Sequence, residues 1–350
     1  MFQSSKLILK RLKMAISTLL RFVFCLNMES KERKYTKEQL IELQNKPLSE
    51  KISISLTRIL ETVQIYGNKI YVSFSGGIDS TVGLHLVRRL FPDALAVYID
   101  TGLEYPEIKQ FVKATDNVKI IRPEMSFKQV IEKYGYPIIS KEVSQCIKTV
   151  RNKPNGKTVE RFNPDCEHYK KYGKQYDVSK WAFLLDAPFK ISNQCCNVMK
   201  KKPAKKFEKE TGYVPFVFTM TSESRLRTTA WLMHGCNAFD SDRPVSYPIS
   251  FWTKQDVLEY IVTYNVPYCD IYGDILQDEN GKYYTTGIDR TGCVFCLYGI
   301  QSDKEPNRLQ RLAVTHNDLY KYCLKPVEEN GLGEGQVLDY LNQHGIKINY

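Results

Sequence analysis

The chain has 350 residues, 43% of them apolar and 25% charged, which is the composition of an ordinary globular protein with a full core. Ten cysteines are too sparse for a disulfide scaffold, and their clustering points to metal or redox chemistry. The net charge of +11 suits polyanionic ligands such as nucleotides and permits nucleic acid without requiring it.

Residues 1–27 carry Lys6, Lys10, Arg11, Lys13 and Arg21 with no acid, and Arg21 interrupts the apolar stretch Ala15 to Leu26. A short targeting segment or interfacial helix has this pattern. The favoured reading is an upstream start, with Met28 as the initiator of a polar segment. The stretch is too short and too charged to span a bilayer, so no membrane is expected and the location is read as cytoplasmic. Residues 28–66 form an N-terminal helical region. Within it, Tyr35 to Tyr66 reads as one or two amphipathic helices carrying Ile41, Leu43, Ile52, Leu56, Ile59 and Leu60.

Residues 67–265 read as a nucleotide-binding α/β core. Strands are expected at 70–74, 95–99 and 118–121, with helices at 80–90, 106–114 and 126–134. This alternation predicts a doubly wound parallel sheet with helices on both faces. Ligands of such sheets bind beyond the carboxyl ends of the strands. Arg151 to Lys180 is a polar excursion, in which Cys166 and His168 form a stray pair. A strand is expected at 214–219, and a helix at 254–264 with Thr253 as N-cap and Asp256 in its first turn. In the C-terminal segment, 266–350, Tyr268 to Thr286 suggests a hairpin and Asn307 to Cys323 reads as helical.

The sequence Ser75-Gly76-Gly77-Ile78-Asp79-Ser80 links the first strand to its helix. Two glycines let the backbone approach an anion, and the helix N-terminus offers free N–H groups. Ser75, Ser80 and Thr81 add hydroxyl donors. Each hydrogen bond to a charged oxygen is worth roughly 1.5–3 kcal/mol, so a few hold a pyrophosphate. The Lys of a Walker A loop is missing, and Asp79 suits a bound Mg²⁺. A second loop, Asp100-Thr101-Gly102, ends the next strand, so the two can share one nucleotide.

With Ala96 to Glu107, Glu223-Ser224-Arg225-x-Arg227 and Pro248 to Val257, this turn resembles blocks of the phosphoadenosine phosphosulfate (PAPS) reductase family, within the ATP pyrophosphatase superfamily. The blocks occur in family order from about Met28 to the C-terminus. The resemblance implies the adenine nucleotide alpha hydrolase-like fold and an adenine nucleotide such as ATP as ligand. Asp79 and Asp100 become candidates for metal, ribose or phosphate contacts.

Cys195-Cys196 and Cys293-x-x-Cys296 form a second constellation. Cys-x-x-Cys places two thiolates on one turn. An adjacent Cys-Cys pair strains around one tetrahedral Zn²⁺, whereas a cluster offers each thiolate its own iron. The set resembles the 4Fe–4S ligands of the adenylylsulfate reductase branch and of the iron–sulfur members active in DNA phosphorothioation. A structural zinc knuckle is the alternative. Cys25, Cys146, Cys166, Cys236, Cys269 and Cys323 are read as packing, as is His85. Lys200, Lys201, Lys202, Lys205 and Lys206 follow the first pair, and Arg290 precedes the second. Arg225 and Arg227 suit bidentate contact with phosphate or sulfate, and Glu223, Lys200, Lys202 and Arg290 join them as candidate catalytic or substrate-binding residues.

Within the resemblance two reactions compete. A sulfonucleotide reductase attacks sulfur with a C-terminal thiolate, but the last cysteine here is Cys323 and the tail carries His344. The intact turn resembles members that cleave ATP to AMP and pyrophosphate, activating an acceptor for sulfur-transfer chemistry beside the cluster. A sulfur donor or reductant protein would be the partner. A third reading is a nucleotide-gated component of a nucleic-acid modification system, with Tyr268, Tyr272, Tyr283 and Tyr284 as stacking residues.

Overall fold

A computed structural model describes residues 33–167, 170, 173 and 177–350. The N-terminal extension with Cys25, and His168 of the stray pair, lie outside them. The chain runs α1 (Lys37–Gln44), α2 (Leu48–Tyr66), β1 (Ile70–Ser73), α3 (Ile78–Leu90), β2 (Ala96–Ile99), α4 (Pro106–Ala114) and β3 (Val118–Ile121). It continues through α5 (Phe127–Tyr134), β4 (Ile138–Ile139), α6 (Lys141–Asn152), α7 (Lys202–Thr211), β5 (Val214–Phe216) and α8 (Arg225–His234). There follow β6 (Asn237–Ala238), β7 (Val245–Ser246), α9 (Lys254–Tyr264), the hairpin β8 (Ile275–Gln277) and β9 (Tyr283–Thr285), and β10 (Leu297–Tyr298). The chain closes with α10 (Arg308–Thr315), α11 (Asn317–Leu324) and α12 (Glu334–Gln343).

The main sheet has six strands in the order β3-β2-β1-β5-β7-β6, parallel except for β6. Val72 aligns with Ala96 on one side and Phe216 on the other, and all three are fully buried. Helices cover both faces, so these strands read as continuous apolar runs. The order reverses at β1. The carboxyl end of β1 is therefore the switch point, where neighbouring connections leave in opposite directions and open a crevice.

Several expectations change in detail. Ile41 and Leu60 are exposed, because α1 and α2 bury a narrower stripe around Leu40, Ile52 and Ile59. Strand β5 stops at Phe216, and the Val217 N–H makes its last ladder bond, to the Ser246 carbonyl of β7 at 2.8 Å. The antiparallel edge β6 and the small parallel pair β4–β10 are two residues per strand, too short for any periodic signal. The helical stretch after Asn307 breaks at His316 into two helices. The excursion after Arg151 holds 3-10 turns at Lys157–Phe162 and Ser179–Asp186.

Two apolar clusters hold the molecule. One packs α2, α3 and α9 around the sheet, and the other joins α5, α6 and the 181–199 segment to the C-terminal helices. Asp256 caps α9 through Thr253 and also takes the Lys51 ammonium at 2.7 Å in a buried ion pair, so that block of the sequence is structural. No helix among the described residues is long and apolar enough to cross a membrane.

Glu334 is fully buried at the start of α12, where the Cys323 thiol donates to its Oε2 at 2.8 Å. Burial pushes its carboxyl up to about 8, and the Cys323 contact offsets only part of this. The unfolded group titrates near 4.5, so the folded state binds the extra proton between those values. Stability from this group is complete at low pH and is lost as pH rises from about 4.5 to about 8. Glu334→Gln should flatten that decline in urea unfolding measured at pH 6 and pH 9. An unchanged pH slope would contradict it.

Candidate functional site

The Ser75–Ser80 turn sits at the switch point. Ser75 N–H donates to Ser80 Oγ at 3.1 Å, while the Ser80 and Thr81 hydroxyls donate to the Gly77 carbonyl at 2.9 and 3.1 Å. Those hydroxyls, expected to face an anion, instead fasten the turn, and Ser75 is the exposed one. Gly76 has φ +73°, and a Cβ there would lie 2.9 Å from methyl groups of Ile108 and Val112. Its glycine is required by backbone conformation and by the close approach of α4.

Gly77 faces the C-terminal segment. A Cβ there would stand 2.9 Å from Thr291 Oγ1 and 3.2 Å from the Tyr272 hydroxyl. The Tyr272 oxygen accepts from Ile78 N–H at 3.3 Å and shares a 2.8 Å hydrogen bond with Thr291. Burial pushes this phenol up to about 12. Tyr272 is thus a structural pin, not a base-stacking residue. Of the other tyrosines considered for stacking, Tyr268 donates to the Gly273 carbonyl, Tyr283 is half-buried and Tyr284 is exposed.

Asp79 lines a cavity of about 440 Å³ with Ser75, Gly77, Glu223, Lys254 and Arg290. Burial raises its carboxyl, and Lys254, Arg227 and Arg290 oppose the shift. The balance favours a cation or a proton at Asp79. Glu223 accepts from Met220 N–H at 2.9 Å and pairs with Arg227, while Arg225 is exposed at the start of α8.

A second cavity of about 590 Å³ joins β1 and β2. Ile99, Glu104, Lys200, Lys201, Lys205 and Thr291 line it. Asp100 does not; it pairs with Lys109 at 3.1 Å and Arg122 at 3.3 Å. Buried Thr101 donates from Oγ1 to Glu104 at 2.6 Å, and Gly102 takes φ +77° to close the loop. Glu104 is therefore the acid of this loop that faces the cavity. Lys200 is enclosed by protein yet accessible through the cavity. Burial would lower its ammonium, but Cys293 and Glu104 outweigh it and hold the proton. Lys202 is exposed on α7, outside this lining.

The four thiols converge. Cys195 is buried, and Cys196, Cys293 and Cys296 are half-buried. Burial and the Cys293, Cys196 and Cys296 thiols all push Cys195 up, and burial with Cys293 pushes Cys296 up to about 11. The Val294 N–H donates to the Leu103 carbonyl at 2.8 Å, which fixes the Cys-x-x-Cys segment to the loop after β2. Arg308 donates to the Cys296 carbonyl at 3.0 Å. Among the described residues, no group of three or more His, Cys, Asp or Glu side chains is arranged to hold a metal ion.

The remaining cysteines behave as packing: Cys146, Cys236, Cys269 and Cys323 are buried, and Cys166 is half-buried. His85 shares a hydrogen bond with the Tyr260 hydroxyl at 2.8 Å. His344 stacks between Phe183 and Tyr340, with centroids 4.7 and 4.3 Å away. Glu104, Lys254 and Thr291 carry no site role in the sequence reading, although Glu104 and Lys254 lie in quoted sequence blocks.

Fold and site together define a mixed α/β protein with a glycine turn at the switch point of a largely parallel sheet. The family model described as the phosphoadenosine phosphosulfate reductase domain matches residues 69–166 and 140–298. The chain belongs to that family. An uncharacterized protein of Methanocaldococcus jannaschii is 23% identical over 316 residues, covering 88% of this chain and 60% of its own length. An adenosine 5'-phosphosulfate reductase of Staphylococcus epidermidis is 24% identical over 67% of this chain and 72% of its own. A crystal structure of PAPS reductase from Candida auris, a phosphate complex, overlaps 72% of this chain and 99% of its own with TM-score 0.37 and 15% identity.

Gly77→Ala should press on Thr291 and Tyr272 and weaken nucleotide binding about tenfold, read by calorimetry, with the fold retained. Unchanged affinity would contradict the contact. Gly76→Val should instead lower stability by about 1–3 kcal/mol, through a forced left-handed conformation and overpacking against α4. An unshifted urea midpoint would count against that reading.

Proposed function

We propose that this family member binds ATP at the Ser75–Ser80 turn and cleaves it between the α- and β-phosphates, transferring the adenylyl group to an acceptor beside a thiolate-held iron–sulfur cluster. The observation that carries the reading is the state of the last cysteine. Cys323 is fully buried and bonded to Glu334, while His344 is locked in an aromatic stack. Buried and bonded in this way, Cys323 is not placed to act as a mobile nucleophile. The phosphate turn, by contrast, is intact and open to solvent at Ser75.

In this reading the turn backbone and the N-terminus of α3 hold the leaving pyrophosphate. A bound Mg²⁺, held by Asp79, supplies neutralisation of charge on the phosphate oxygens. Arg290 and Lys254 border the same cavity and stabilise the leaving group. Lys200 faces the neighbouring cavity with its proton retained, placed to receive charge that develops on the α-phosphate.

Cys195, Cys196, Cys293 and Cys296 are the proposed cluster ligands, and Mg²⁺ and the cluster are the proposed cofactors. One tetrahedral Zn²⁺ needs sulfurs about 3.8 Å apart, whereas a cluster lets each thiolate reach its own iron. The mutual electrostatic influence of the four thiols supports a shared centre. A cluster here supplies electron transfer or a sulfur-binding iron, and a reductant or sulfur donor would be its partner. A true sulfonucleotide reductase is the second reading, favoured by the likeness to adenosine 5'-phosphosulfate reductases.

Incubation with Mg²⁺ and ATP should release pyrophosphate and not orthophosphate, and Asp79→Asn should slow the release about a hundredfold. Orthophosphate as the product would overturn the reading. Anaerobically purified protein should contain iron and sulfide, both lost in Cys195→Ser. Zinc without sulfide would reject the cluster.

A further inference from the structure

A third cavity of about 480 Å³ borders the other two at Val217, the residue that follows β5. Neither the turn nor the thiols line it. Its walls are largely apolar: Leu226, Ala230 and Trp231 from α8, with Ala238 and Val245 from the antiparallel edge. Leu226 is 84% exposed at this cavity, so its side chain gains cover when a ligand enters. Two guanidiniums, Arg227 and Arg243, belong to the lining, and no carboxylate does.

Acids outside the lining orient both arginines. Arg243 gives Nε and Nη2 to Glu208 at 2.6 and 2.5 Å, and Arg227 gives Nη1 to Glu223. A guanidinium has five N–H donors, so each keeps some for a ligand. Tyr247, also in the lining, lies within electrostatic reach of both.

We propose that this cavity is the acceptor subsite and that it takes a small organic carboxylate with an apolar body. The proposal rests on the adenylyl-transfer reading and names its acceptor class. The volume lies within the range of small-molecule sites, about 300–1,000 Å³. Apolar walls disfavour a polyanion, and a lining with two guanidiniums and no carboxylate offers an ammonium no direct partner. A carboxylate matches the planar guanidinium donors, and its body covers Leu226. At the Val217 border its oxygen faces the nucleotide cavities. That oxygen forms a bond to the α-phosphorus, the bond from this phosphorus to the bridging oxygen breaks, and pyrophosphate leaves with the electron pair. The product is a mixed anhydride, and neither a proton nor a redox equivalent changes hands.

Benzoate, phenylacetate and hexanoate, each compared with its amide, test this by calorimetry on the full chain. At least one carboxylate should bind about tenfold or more tightly than its amide and stimulate pyrophosphate release from ATP. Ala230→Trp, at an exposed helix position, fills the cavity and should remove this binding. Leu226→Glu sets an acid at the mouth and should do the same by repulsion. Circular dichroism checks that both variants fold. Amides that bind equally well, adenosine that displaces the carboxylate, or no binding by any probe would overturn the subsite while leaving ATP cleavage intact. Carboxylate binding that both variants abolish, without pyrophosphate release, would keep the site and sink adenylyl transfer.

Discussion

The contact between Gly77 and the Tyr272–Thr291 pair is the constraint on which the site depends. A strand-to-helix turn needs small residues for its own geometry, but Gly77 also lacks a side chain because another part of the chain occupies that space. Tyr272 reaches across to the first N–H of α3, and Thr291 lies two residues before Cys293. The phosphate turn and the thiol segment are therefore placed by one another. The Val294–Leu103 hydrogen bond adds a second tie, from the thiols to the loop after β2.

The parallel sheet turns this local contact into a site. Because β1, β2 and β5 run the same way, their following loops emerge at one rim. Cations gather there from distant positions: Lys200 from the turn before α7, Arg227 from α8, Lys254 from α9 and Arg290 from the C-terminal segment. Lys254, Arg227 and Arg290 act on Asp79, while Lys254 also pairs with Asp289 and Arg227 with Glu223. The buried Lys51–Asp256 pair keeps α9, and with it Lys254, in register with α2.

Much of this was legible in the sequence. The alternation of strands and helices, the glycine turn, the Thr253 cap and the hairpin all left periodic or compositional signals. The convergence of Cys195 with Cys293 was legible as two pairs of one residue type. Roles within the turn were not, because Ser80 and Thr81 have the same hydroxyl whether it meets a phosphate or the Gly77 carbonyl. Asp100 and Glu104 are likewise interchangeable on paper; only Lys109 and Arg122 decide which acid turns away. Two-residue strands such as β4 and β10 carry no period at all, and the third cavity arises from elements far apart in the chain.

A crystal structure with α,β-methylene ATP and Mg²⁺ tests the central claim most directly. The account requires the β- and γ-phosphates on the Ser75–Ser80 backbone, with the α-phosphate directed between Lys200 and the Val217 border. A triphosphate bound elsewhere, or one whose α-phosphate points away from the thiol segment, would contradict it.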